Sequence, residues 1–126
     1  MQITENKRTY QKAIAKHKLA ADYLVRTKTF EKWLIIFCID MFPDEAYIRR
    51  RRRFSAKEVE VFKERLGATS QPFNKSDFKR MAETTYRTIR ENIQKYPLVY
   101  ILPIETYNHI SKFPPKVAER ILNGLG

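Results

Sequence analysis

The segment RFSAKEVEVFKERLG, Arg53 to Gly67, lies over KFPPKVAERILNGLG, Lys112 to Gly126, at an offset of 59 residues, with Phe, Lys, Glu, Leu and Gly coinciding. Carried toward the N-terminus, the same offset pairs Leu19 with Phe78, Val25 with Thr84, Thr29 with Thr88, Phe30 with Ile89 and Leu34 with Ile93. A second anchor, FPDEAY (Phe42 to Tyr47) against LPIETY (Leu102 to Tyr107), aligns at 60, which requires one inserted residue upstream and a compensating deletion downstream. Apolar falls on apolar at the helix-facing positions, so two copies of one unit account for the pattern. The stretch GATSQPFN, Gly67 to Asn74, is rich in breakers and small polar residues and reads as the linker. Residues 1–67 then form the first unit and residues 68–126 the second.

A chain of 126 residues holds one ordinary domain or two very small ones, which excludes a large multidomain enzyme. With 43% hydrophobic residues and only 3 Gly, it carries enough apolar material for a real core. Twenty-five Lys and Arg against 14 Asp and Glu give +11, divided as +7 for residues 1–67 and +4 for residues 68–126. Both halves therefore favour a polyanionic partner, nucleic acid or an acidic membrane surface. The single cysteine, Cys38, excludes an intramolecular disulfide framework and a cysteine-rich zinc site, and suits a reducing compartment. The longest apolar run, Leu34 to Ile39, is too short to cross a bilayer, and the polar start MQITENKRTYQK lacks the apolar core of a signal peptide. The expectation is a soluble, cytoplasmic protein without membrane partners.

Within the first unit, LAADYLVRTKTFEKWL (Leu19 to Leu34) spaces Leu19, Ala20, Val25, Phe30 and Leu34 as in a helix-turn-helix, and FKRMAETTYRTIRENI (Phe78 to Ile93) repeats the spacing with Thr85 as a helix N-cap. Leu24 and Glu83 stand at the turn position where that motif usually has Gly, Lys79 replaces the small residue, and Arg26 stands where a cap is expected. The β-rich stretches IIFCIDMFPDEAYIRRR and YPLVYILPIETYNHI, each broken by a Pro-containing turn, read as hairpins. A closing helix follows each. Ser55 and Glu58 form a capping-box signature ahead of Ala56, Val59, Phe62 and Leu66; Pro114 and Pro115 start the second closing helix ahead of Ala118, Ile121 and Leu125. Residues 1–16, with Ile3, Tyr10, Ala13 and Ile14, are expected to add a helix with no counterpart in the repeat. The fold class is thus α+β, mainly α: a tandem duplicated winged helix-turn-helix, an internal dimer, with an extra N-terminal helix.

The order helix, turn, helix, hairpin, helix, with RFSAKEVEVF after the wing, resembles the winged-helix domains of MerR-type regulators and of phage or transposon excisionases. Two such units fused in a small basic chain resemble, over residues 17–126, the TraN-type accessory DNA-binding proteins of Gram-positive conjugative plasmids. That resemblance implies sequence-specific binding of double-stranded DNA near a transfer origin or promoter, as a relaxosome accessory factor or a repressor of transfer, with other conjugation proteins as further partners. An excisionase-like role in bending DNA, and an RNA-binding or adaptor role for the arginine tract, are the rival readings.

The residues support such chemistry directly. Each Lys or Arg that neutralises a phosphate releases condensed counterions. The run Arg49, Arg50, Arg51, Arg52 and Arg53, placed on the outgoing wing strand, is the strongest local signal. On the first reading helix Arg26, Thr27, Lys28, Glu31 and Lys32 fall away from the Val25–Phe30–Leu34 anchor face; on the second, Thr85, Tyr86, Arg87, Arg90 and Glu91 take that place. Arg can bond guanine N7 and O6 bidentately, Glu can accept from cytosine N4, and Tyr can touch phosphate or a thymine methyl. The two helices differ, so a monomer acting as an internal dimer would read two unlike half-sites. The second wing offers Tyr107, Asn108, His109 and Lys112 where the first has arginines, a weaker phosphate grip. His17 and His109 show no metal pairing, and Trp33, Phe30, Phe37, Phe54 and Phe62 have core spacing. No phosphate-cradling Gly loop, metal cluster or nucleophile–base pair stands out, so the expectation is a non-enzymatic protein with no cofactor and no metal.

Overall fold

A computed structural model describes residues 13–126. The described chain is mainly helical, with two small antiparallel sheets of two strands each. The first half runs β1 (Ile14–Ala15), α1 (Lys16–Asp22), α2 (Thr27–Phe37), a 3-10 turn (Ile39–Met41), α3 (Glu45–Arg50), β2 (Arg53–Phe54) and α4 (Ala56–Leu66). The second runs β3 (Phe73–Asn74), α5 (Lys75–Met81), α6 (Tyr86–Lys95), α7 (Pro97–Tyr100), α8 (Ile104–His109), β4 (Lys112–Phe113) and α9 (Pro115–Leu125). Strand and helix starts recur at 59 residues, as Lys16 to Lys75, Glu45 to Ile104 and Arg53 to Lys112 show.

Local chemistry explains most boundaries. Ser55 and Glu58 close a full capping box on α4, and Asn74 and Asp77 do the same on α5. Thr85 accepts from the Thr88 amide at the start of α6, and Pro115 occupies the first turn of α9. Arg26 precedes α2 without a side-chain cap. The turns between α1 and α2 and between α5 and α6 place Leu24 at φ 59° and Glu83 at φ 50°, the left-handed region where the motif's usual glycine would be at ease.

The two expected hairpins are not formed. Asp44 accepts from the Tyr47 amide and starts α3, with Ile48 facing the core, so helical periodicity wins over the β-branched composition of the segment. Pro97 in the first turn of α7 and the start of α8 after Pro103 do the same in the second half. Each returning strand pairs instead with the residues just before the first helix of its half. Ile14 faces Phe54 and Ala15 faces Arg53, while Phe73 faces Phe113 and Asn74 faces Lys112. A two-residue clasp therefore stands where a wing was expected, and Arg53 is the only arginine of its run in a strand.

The structure departs from expectation at three smaller points. The expected N-terminal helix falls mainly on residues 1–12, outside the described residues; Ile14 is in β1, and Ile14 to Lys16 do have a counterpart, Phe73 to Lys75. The linker ends before Phe73, because Phe73–Asn74 is a strand and Asn74 a helix cap. Phe42 and Leu102 are both buried at the 60-residue offset, but the helices return to 59, so Ile48 and not Tyr47 takes the buried place of Tyr107.

Two cores result. Leu19, Tyr23, Phe30, Trp33, Leu34, Ile48, Phe54 and Phe62 centre the first; Phe78, Ile89, Ile93, Tyr107, Phe113 and Ile121 centre the second. Ile36 and Phe37 of α2 pack against the second core, and α4 lies against α9, so the halves share an interface. Gly67 sits there at φ 97°, where an added Cβ would come within 2.9 Å of the Lys116 amide nitrogen. Its carbonyl accepts from the Tyr23 hydroxyl at 2.5 Å. Burial pushes that phenol up to about 12, which keeps it a donor at neutral pH.

Left-handed backbone at a residue bearing a side chain costs about 1–2 kcal/mol. Leu24→Gly and Glu83→Gly are therefore expected to raise stability, each by up to about 1 kcal/mol after the entropy of glycine is counted. Urea unfolding checks this, and a loss at either site would mean that the side chain contributes more than the strain removes.

Candidate nucleic-acid interface

Lys16 organises the basic edge of the first half. It is 5% exposed, and its ammonium donates to the Ile48 carbonyl at 2.8 Å, the Arg49 carbonyl at 3.0 Å and Glu31 Oε2 at 2.7 Å. All three hydrogens are used, two of them on the orphan carbonyls at the C-terminal end of α3. The Lys16 amide also donates to the Arg52 carbonyl at 2.8 Å. One residue thus fixes the backbone on both sides of Arg50 and Arg51. Its counterpart Lys75 repeats the arrangement more loosely, with its ammonium 3.4 Å from the Asn108 carbonyl and 4.9 Å from the Tyr107 ring centroid. Sequence reasoning missed both lysines, although they lie at the repeat offset and so do the carbonyls they reach.

The five arginines separate into different roles. Arg49 and Arg50 end α3, and Arg49 pairs with Glu45 at 3.0 Å and more loosely with Glu31 at 3.7 Å. Arg51 turns inward. Its guanidinium meets Glu58 at 2.6 and 3.3 Å and the Tyr47 hydroxyl at 2.9 Å, and lies 4.9 Å from the Phe54 ring centroid. Expected among the DNA contacts, its guanidinium is instead turned onto these groups of its own half. Arg50, Arg52 and Arg53 are exposed, and no carboxylate among the described residues pairs with them. Burial presses the Glu58 carboxyl upward, yet the Arg51 guanidinium and the Ser55 amide outweigh it and hold the group below the usual glutamate range.

Cations continue from this edge into the second half. A shallow concavity is bordered by His17, Thr27, Arg49, Arg50, Arg52 and Arg53; a second one shares Arg49 and adds Lys28, Lys32, Glu45, Glu105 and His109. Lys32 donates to the His109 carbonyl across the junction between the halves. Burial, and after it the charges of Arg90 and Lys32, hold the Lys75 ammonium below the usual lysine range. A positive band therefore runs from Arg53 through Arg49, Lys28 and Lys32 to Lys75 and Arg90, interrupted by Glu45 and Glu105 and with Arg49 already paired.

The remaining expected contacts are divided by this packing. Arg26 and Lys28 are exposed and Thr27 is half-buried; Glu31 is taken up by Lys16 and Arg49. Thr85, Tyr86, Arg87, Arg90 and Glu91 all lie exposed on α6 or at its cap; Arg87 and Glu91 stand opposite the buried Ile89 and Ile93, and Tyr86 and Arg90 border the buried face. Arg87 and Glu91 pair at 3.2 Å in the open. Asn108 and His109 are exposed at the end of α8, whereas Tyr107 is buried; Lys112 is exposed in β4, and its carbonyl accepts from Trp33 Nε1 at 2.8 Å. The core reading of Trp33, Phe30, Phe54 and Phe62 holds, and Phe37 is half-buried between the two cores.

Among the described residues no group of three or more His, Cys, Asp and Glu gathers as for a metal, and no helix is long and apolar enough to cross a membrane. Burial pushes the lone Cys38 thiol up to about 11, against the nearby Arg65, so it stays a packed thiol. Comparison with protein-family models, curated proteins and solved structures found no match to this chain.

Removing the Lys16 ammonium would strand a nearly buried glutamate and two carbonyls, so Lys16→Met is expected to cost about 3 kcal/mol in denaturant unfolding, and Lys75→Met clearly less. Because the folded pKa of Glu58 is depressed, its contribution is complete above the ordinary glutamate pKa and disappears as pH falls through the lower folded value. Glu58→Gln should lower stability at neutral pH by about 1–2 kcal/mol and flatten the acid limb of a stability–pH curve; an unchanged acid limb would show that the Arg51 pair contributes nothing.

Proposed function

We propose that this chain is a non-enzymatic double-stranded DNA-binding protein built from two helix-turn-helix units, each closed by a strand clasp. The observation that carries this reading is the cationic band that crosses both halves, interrupted by Glu45 and Glu105, with exposed Arg50, Arg52 and Arg53 at one end and exposed Arg90 at the other. Phosphates along a duplex edge suit such a band, and Lys28, Arg50, Arg52, Arg53 and Arg90 in it have no carboxylate partner among the described residues. The outward face of α6 adds groups suited to base edges. A helix of 10 residues is about 15 Å long, enough to lie along a major groove. The α1–turn–α2 and α5–turn–α6 pairs, with Leu24 and Glu83 at matching left-handed turns, support the helix-turn-helix reading. In this reading one chain presents both units, and its role follows the resemblance to accessory factors of conjugative transfer: binding near a transfer origin or promoter, to recruit or to repress.

Competition among duplex DNA, single strands and structured RNA at physiological salt tests the proposal. Duplex DNA should win, with log K falling linearly against log salt. Replacing Arg50, Arg52 and Arg53 together by Ala should weaken every duplex alike and reduce the slope by about 0.9 for each phosphate no longer neutralised. A preference for single strands or RNA, or an unaltered slope, would overturn it.

A further inference from the structure

The two reading helices occupy equivalent places in the chain but very different surroundings. Within α2 only Lys28 and Lys32 are exposed, whereas in α6 every residue except Ile89, Asn92 and Ile93 is exposed. The side chains differ accordingly. At matching positions α2 and the residue closing it carry Trp33, Ile35, Ile36 and Phe37, while the second half carries Asn92, Gln94, Lys95 and Tyr96.

Of these α2 residues, Trp33, Ile36 and Phe37 are spent on the junction, and Ile35 packs on the first core. Trp33 Nε1 donates to the Lys112 carbonyl at 2.8 Å, Ile36 and Phe37 pack against the second core, and Lys32 is tied to the His109 carbonyl. On the α2 face expected to meet DNA, Glu31 is held by Lys16 at 2.7 Å. What stays accessible is its first turn, a place from which amide and lysine groups grip phosphate. A helix whose far half is packed against protein offers a groove only that first turn, which here carries Thr27 and Lys28 and none of the arginines of α6.

Resting on the DNA-binding proposal above, we infer that base recognition belongs to α6 alone, through Tyr86, Arg87, Arg90 and Glu91, while α2 serves as the strut that sets the second unit against the first. The target then holds one short specified block. Beside it lies a stretch gripped by the first half through its backbone without sequence preference. The exposed Arg87–Glu91 pair does not oppose this role, because ion pairs in open solvent are held weakly and are readily exchanged for a base edge.

The test measures binding of the full chain to a duplex carrying its footprinted site and to every single base-pair substitution within the footprint. Substitutions in one continuous block should weaken binding about tenfold or more each, and those in the remainder about twofold or less. Arg87→Ala with Arg90→Ala, both at exposed positions, should level the block; Thr27→Ala with Lys28→Ala should weaken all sequences in equal proportion. Two specified blocks one helical turn apart, or a block relaxed by the Thr27 and Lys28 changes, would overturn the inference while leaving DNA binding intact. Tight duplex binding with no specified block would overturn it as well. Failure to bind any duplex would instead remove the DNA-binding proposal on which it stands.

Discussion

The seating of α2 between two cores governs the rest of the structure. Phe30, Trp33 and Leu34 bury themselves in the first half, and one turn later Ile36 and Phe37 reach the second. A rigid helix that contributes side chains to both cores leaves the halves little freedom to rotate. The Trp33–Lys112 and Lys32–His109 bonds then fix register along the helix, since an indole N–H buried without an acceptor would be costly. Because this packing sets where α6 and the arginine run stand relative to one another, the positive band is a product of tertiary structure rather than of local sequence.

Charge in this protein is partly consumed by the fold. Arg51 is neutralised by Glu58 and covers the aromatic cluster of Phe42, Tyr47 and Phe54, and Lys16 is consumed by helix-end carbonyls and Glu31. The formal +11 already subtracts these carboxylates, so the pairing changes which cations stand open to a polyanion and not the net charge. Arginine suits the inward role because its planar fork bonds a carboxylate bidentately while its face lies on aromatic rings. The neighbouring Arg50, Arg52 and Arg53 have the same side chain and a different fate, because Arg51 alone of the four meets Glu58 and the aromatic rings.

The sequence by itself determined the elements whose signals are local. The Ser55–Glu58 capping box, the Thr85 cap, the Pro115 helix start and the apolar anchors Phe30, Leu34, Ile89 and Ile93 are legible because each depends on residues within a turn or two, and the 59-residue recurrence is legible because such local signals return in the same order. The exposed face of α6 is legible for the same reason. Segments 35–51 and 96–110 read as hairpins and fold mainly as helices, since β-branched composition says what a residue tolerates and not whether a partner strand exists. Only the tertiary structure decided that the partner of Arg53–Phe54 is Ile14–Ala15, that Lys16 reaches across the first half to the end of α3, and that α2 is covered while α6 is open. Those outcomes rest on contacts between residues tens of positions apart, whose geometry is fixed by how whole helices pack.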